Sequence, residues 1–109
     1  MQKSKIKTSP RIRRHKRIRS RIFGTAERPR LCIFRSHRFL ELQLIDDTKG
    51  HTLASAHVPL KKSSDAGKTI AVQAKKWGIV KAVFDRGGYA FHGHVQEAAQ
   101  GARDGGLVI

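Results

Sequence analysis

Two stretches of this 109-residue chain carry most of the side chains able to do chemistry. The first, "KSKIKTSPRIRRHKRIRSRIF" (3–23), sets Lys3, Lys5, Lys7, Arg11, Arg13, Arg14, Lys16, Arg17, Arg19 and Arg21 around His15 without a single acid. Lysine presents a point charge to phosphate, whereas the planar fork of arginine grips phosphate bidentately or stacks on an exposed base. The second, "DRGGYAFHGH" (85–94), offers Arg86 as a charge, Tyr89 as a stacking ring, and His92 and His94 as hydrogen-bonding edges. Between them Gly87 and Gly88 let the main chain approach RNA closely. Its spacing is that of neither a dinucleotide loop nor an NTPase phosphate loop. His92 and His94 could share a metal ion, but no cysteine or carboxylate cluster completes such a site, and no cofactor is expected. Asp46 and Asp47 read as turn formers. Nothing marks an activated nucleophile or its base.

The charge distribution points the same way. The chain holds 23 Lys and Arg against 8 Asp and Glu, a formal +15. Residues 1–30 hold +11 of it and residues 31–109 only +4. A basic arm on a near-balanced body is the asymmetry of a nucleic-acid binder, with counterion release supplying most of the arm's affinity. The arm, residues 1–28, repels itself and should be disordered alone in water. Ile6, Ile12, Ile18 and Ile22 interrupt its charges and would let part of it coil against the body or RNA. Cys32 is the sole cysteine, so no internal disulfide forms, which fits a reducing compartment. No apolar run reaches the roughly 20 residues of a membrane span, and no secretory leader is visible. An organelle transit peptide would mix in more Ala, Leu and Ser than this start does.

These groups must be positioned by a body of about eighty residues, 29–109, enough for one domain. "RLCIF" (30–34) and "FLELQLI" (39–45) alternate as strands. The loop between them, Arg35, Ser36, His37 and Arg38, is short enough for a hairpin and could meet phosphates, as could Arg30 at the strand's start. "DDTKG" (46–50) turns the chain into a third strand, "HTLASAHV" (51–58). Ser64 or Asp65 can cap a helix over "AGKTIAVQAKKW", whose inner face would be Ala66, Ile70, Ala74 and Trp77, with Gly78 at its end. "IVKAVF" (79–84) reads as a buried strand, and "HVQEAAQGAR" as a second helix that Gly101 weakens by up to about 1 kcal/mol. The expected fold is α/β: a single domain β-β-β-α-β-α, a mixed four-stranded sheet with two helices on one face, behind a disordered basic arm. The other sheet face would be free to meet RNA.

"RPRLCIFRSHRFLELQLIDDTKGHTLASA", followed by "GIVKAVFDRGGYAFHGHVQEAAQGARDGGL", closely resembles the bacterial-type ribosomal protein eighteen family of the large subunit, which binds 5S rRNA. Three departures stand out: a shorter stretch between the third strand and "AGKTIA", His94 where the family usually has Arg, and Ala90 and Phe91, which vary the usual pattern before the His. The resemblance implies a structural, non-enzymatic constituent of the ribosome, cytoplasmic or organellar. Its partners would be 5S rRNA, 23S rRNA and a neighbouring 5S-binding ribosomal protein in the central protuberance, with no membrane or small-molecule substrate.

Two competitors fall short. The element order also resembles a ribonuclease-H-like arrangement, but two-metal chemistry needs converging carboxylates. Asp85 could be one, and the first strand offers none. A DNA-compacting protein would share the arm, yet the body has no recognition helix with a basic face.

Overall fold

Alternation builds the sheet. In the computed structural model, which describes residues 9–19 and 21–109, strands β1 (Arg30–Arg35), β2 (Phe39–Asp46) and β3 (His51–Pro59) form an antiparallel meander. Leu31 and Ile33 of β1, Leu40, Leu42 and Leu44 of β2, and Ala54 of β3 point to one face and are buried. Cys32, Phe34, Glu41, Gln43, Ser55 and His57 occupy the opposite face, in register with one another. A short strand β4 (Val83–Asp85) lies parallel to β1, pairing Cys32 with Asp85 and giving the order β3-β2-β1-β4. This is the mixed four-stranded α/β sheet that the pattern called for.

The fourth strand is shorter than the apolar run from 79 to 84 suggested. The backbone at Val80 and Ala82 bonds instead to Val108, and Lys81 bridges to Val108, so the carboxyl-terminal tail takes over that stretch.

Helices α2 (Ser63–Lys76) and α3 (His94–Asp104) cover the apolar face. Neither Ser64 nor Asp65 caps α2; a single 3₁₀ turn (Leu60–Lys62) leads into it, and the Ser63 hydroxyl donates to Leu60 O at 2.6 Å. The far end follows expectation. Gly78 takes φ +74° while its N–H bonds to Lys75 O and that of Ile79 bonds to Ala74 O, closing a Schellman motif. Ala66, Ile70 and Ala74 are buried as predicted, but Trp77 is 61 % exposed, with its indole N–H donating to Leu53 O at 2.8 Å.

Where α2 and α3 cross, there is no room for side chains. A Cβ at Gly67 would fall 2.1 Å from Ala98 O, and one at Gly101 would fall 2.1 Å from Ser64 O. Gly101 is therefore the condition of the close crossing, whatever it subtracts from helix propensity. Propensity alone predicts that Gly101→Ala stabilises the protein by about 1 kcal/mol. The crossing predicts the opposite sign, a loss of about 1–3 kcal/mol from overpacking. Urea unfolding followed by circular dichroism decides between them.

Candidate nucleic-acid interface

The arm is where sequence and structure differ most. Lys3, Lys5 and Lys7 lie outside the described residues. From Pro10 to Arg19 the chain forms a helix, α1. Its start is locally encoded: the Ser9 hydroxyl accepts the Ile12 N–H at 3.1 Å, and Pro10 occupies the first helical position. Lys16, Arg17 and Arg19 in its last turn complement the helix dipole. Ten residues make a marginal helix in isolation, so docking on the body must supply the rest of the stability. Half-buried Ile18 and Ile22 contribute to that docking, whereas Ile12 stays exposed.

Specific contacts hold α1 to the loop after β4. Arg11 donates from Nη1 to Gly87 O at 2.8 Å, and Arg14 donates from Nε to Gly88 O at 2.9 Å. The Arg11 guanidinium also lies 4.7 Å from the Tyr89 ring centroid. Gly87 and Gly88 both have positive φ, +65° and +81°. A Cβ on Gly88 would sit 2.2 Å from Arg11 O, and one on Gly87 would sit 2.7 Å from Ile33 O. The two glycines thus admit a close backbone approach, but the partner is the protein's own helix and strand. Tyr89 is similarly engaged: its hydroxyl donates to Arg35 O and accepts the Arg35 N–H, both at 3.1 Å, pinning the loop to the end of β1.

Beneath α1 lies a buried charge cluster. Asp85 is fully buried and accepts from Arg30 Nη1 at 2.8 Å and from the Gly87 N–H at 2.9 Å, with His15 Nε2 at 3.2 Å. Arg30 forks onto Asp47 as well, through Nε at 3.0 Å and Nη2 at 3.2 Å. Asp47 also accepts the Gly24 N–H at 2.8 Å, and Arg19 approaches it at 3.9 Å. Burial works to lower the Arg30 pKa, but its hydrogen bonds to Asp47 and Asp85 outweigh it and hold the guanidinium above its ordinary value. Burial, then the neighbouring Asp85 carboxylate, push the Cys32 thiol up.

Three sequence-based assignments change accordingly. Arg30 is only 9 % exposed and carries a structural charge pair, so it is withdrawn from the phosphate-facing set. His15 faces Asp85. Asp47 is an anchor for Arg30, while Asp46 keeps the expected turn role, accepting the Thr48 N–H at 2.9 Å and the Thr48 hydroxyl. The outer sheet face is not wholly free either, because α1 reaches across its β1–β4 side to Asp85 and Asp47.

The remaining candidates stay accessible. Arg13, Lys16 and Arg17 are exposed on α1, and Arg21 just beyond it; Arg19 donates to Ile22 O. Arg35, His37 and Arg38 are exposed in the β1–β2 turn, whose shape Ser36 holds by accepting the Phe39 N–H at 3.1 Å. Arg86 is half-buried, His92 is exposed, and His94 pairs with Glu97 at 3.3 Å. A cleft of about 290 Å³ gathers Arg11, Arg14, Arg35, Tyr89, His92 and His94. Exposed Phe34 and Phe39 stand on the open part of the sheet face, Phe39 stacking on His57 at 4.9 Å. Sequence reasoning passed over both; their places in the alternating strands, opposite the leucines, were the available signal. Among the described residues, no group of three or more His, Cys, Asp or Glu is placed to hold a metal ion.

This geometry defines a small basic α/β domain with cations gathered on a docked helix, a hairpin turn and a glycine loop, the surface of a polyanion binder. The sequence comparisons make that class specific. Residues 5–109 match the family model "Ribosomal L18 of archaea, bacteria, mitoch. and chloroplast", and the chain belongs to that family. It is 45 % identical to the large ribosomal subunit protein uL18 of Thermotoga petrophila, over 98 % of both chains. Identity is 49 % to the uL18 protein of Caldicellulosiruptor saccharolyticus, over 89 % of each, and 47 % to that of a Synechococcus strain, over 94 % of this chain and 98 % of the relative. The Thermotoga alignment runs to 120 positions against 109 residues here, so that relative contains residues this chain lacks.

Two outcomes test the site's construction. Gly88→Ala should detach α1, lowering ellipticity at 222 nm by the share of a ten-residue helix while the body still unfolds cooperatively; unchanged ellipticity would refute the docking. Separately, the hydrogen bond from Arg30 holds the Asp47 carboxyl below the usual carboxylate range. A depressed folded pKa contributes stability that is complete above the unfolded value, about 3.9, and is lost as pH falls through the folded one. The urea midpoint should therefore hold from pH 7 to about 5 and fall below about 4. Asp47→Asn should be less stable at pH 7 and show a shallower acid decline.

Proposed function

We propose that this protein is a structural, non-catalytic constituent of the large ribosomal subunit that binds 5S rRNA and helps attach it to 23S rRNA and a neighbouring ribosomal protein in the central protuberance. It would act in the ribosome, in the cytoplasm or an organelle. The observation that carries the reading is family membership over residues 5–109 together with a cationic helix fixed on the body.

The division of labour follows from the charges. The arm (1–28) supplies affinity by displacing counterions, and the body (29–109) supplies placement. Lys3, Lys5, Lys7, Arg13, Lys16, Arg17 and Arg21 would meet phosphates, as would Arg35 and Arg38 across the hairpin turn. Arg11 and Arg14 serve first as positioning residues, since their guanidinium groups already bond Gly87 O and Gly88 O. Each retains further donors for phosphate in the adjoining cleft. His92, and His94 in its pair with Glu97, would contribute hydrogen bonds.

Total ribosomal RNA and duplex DNA, offered together at near-physiological salt, separate this reading from general nucleic-acid compaction. Sequencing the retained material should show 5S rRNA enriched over both DNA and the other transcripts. Equal retention of RNA and DNA would favour the compaction reading.

A further inference from the structure

At the end of the sheet opposite the Arg35–Arg38 turn, the chain carries a second constellation suited to RNA. Trp77 is the sole tryptophan, and it stands 61 % exposed at the end of α2. Its N–H is tied to Leu53 O, so the ring is held in one orientation with much of its surface offered to solvent. A cleft of about 250 Å³ opens beside it, lined also by Lys49 from the β2–β3 turn and His51 at the start of β3. Asp46 lines the same cleft, and its carboxylate, held below the usual range first by the Thr48 hydroxyl, also feels Lys49. At 2 % exposure it is covered, whereas the Lys49 ammonium is exposed and is the more accessible of the two charges. Lys76 precedes the ring in sequence, and both lysines are exposed.

A rigid indole beside accessible ammonium groups is the chemistry that takes an unpaired nucleotide: the base stacks and the phosphate meets the cation. β2 spans eight residues, roughly 25 Å, between this end and the basic turn, too far for both ends to serve one nucleotide. We propose that Trp77 and Lys49 form a second RNA contact, stacking an unpaired base of a ribosomal transcript on the indole while Lys49 neutralises its phosphate. This rests on the rRNA-binding reading and extends it: the body touches RNA at both ends of its sheet. A protein partner would find an aromatic anchor here too, but the cationic rim favours the polyanion.

The lone tryptophan makes the test direct. The full chain is titrated with total ribosomal RNA while filter retention reports complex formation and indole emission reports the site. The proposal expects emission to quench in step with retention. Trp77→Ala, checked for folding by circular dichroism, should weaken retention by about 5- to 150-fold, the range for one lost base stack. Trp77→Phe, which keeps a ring and loses only the N–H, should fall between. Lys49→Gln should lower the salt slope by about 0.7–0.9. Retention with unchanged emission would overturn this contact alone, leaving the rRNA reading in place. Absence of any complex would overturn both. An emission change produced only by added large-subunit proteins, not by RNA, would overturn it in favour of a protein interface.

Discussion

Arg30 holds this structure together. Its guanidinium joins Asp85 at the end of β4 to Asp47 in the turn after β2, while Gly24 from the linker and His15 and Arg19 from α1 converge on the same two carboxylates. Breaking such a pair from one side strands an ion in a dry site, at a cost on the order of 3–5 kcal/mol. The cluster also explains Gly24, where a Cβ would press within 2.4 Å of the Arg30 backbone nitrogen. In a chain with only eight acids, burying Asp46 and Asp85 while Arg30 is the single buried cation among the described residues leaves the exterior slightly more cationic than the formal charge suggests. Internal anchoring and external field come from one arrangement.

The docked helix changes how the arm's electrostatics should be pictured. A wholly flexible cationic tail must lose its conformational freedom when it binds. Here the segment from Pro10 to Arg19 is already ordered against the glycine loop, with Arg11 and Arg14 gripping carbonyls and Arg13, Lys16 and Arg17 on exposed positions. Part of the ordering cost is met within the protein, and the spacing of the exposed cations is set before any phosphate arrives.

Much of this was legible in the residues. The alternation of Leu40, Leu42 and Leu44 fixed which sheet face is buried, and Gly78 marked the end of α2. The "Ser9-Pro10" pair was a helix-start signal hidden by the charge around it, because charge density argues for disorder while a cap and a Pro argue for a helix. Tertiary contacts decided between them. Arg30 and Asp47 were misread for the same reason: nothing local shows that a cation and a carboxylate seventeen positions apart will meet under a third element. Trp77 satisfied the helical spacing of the core and keeps helical dihedrals as the C-cap of α2, yet at the very end of the helix it is left 61 % exposed. Periodicity loses its authority in the final turn of a helix.

The carboxyl-terminal tail has a role that the sheet order makes visible. β4 is an outer strand, and an uncovered outer strand presents unpaired donors and acceptors to any neighbour. Val108 lies alongside Lys81, accepting from Ala82 and donating to Val80, while Leu107 is buried beneath. These last residues work as a selvedge for the stretch from 80 to 82 that leads into β4, so that less backbone is left open there for a neighbouring copy to zip onto.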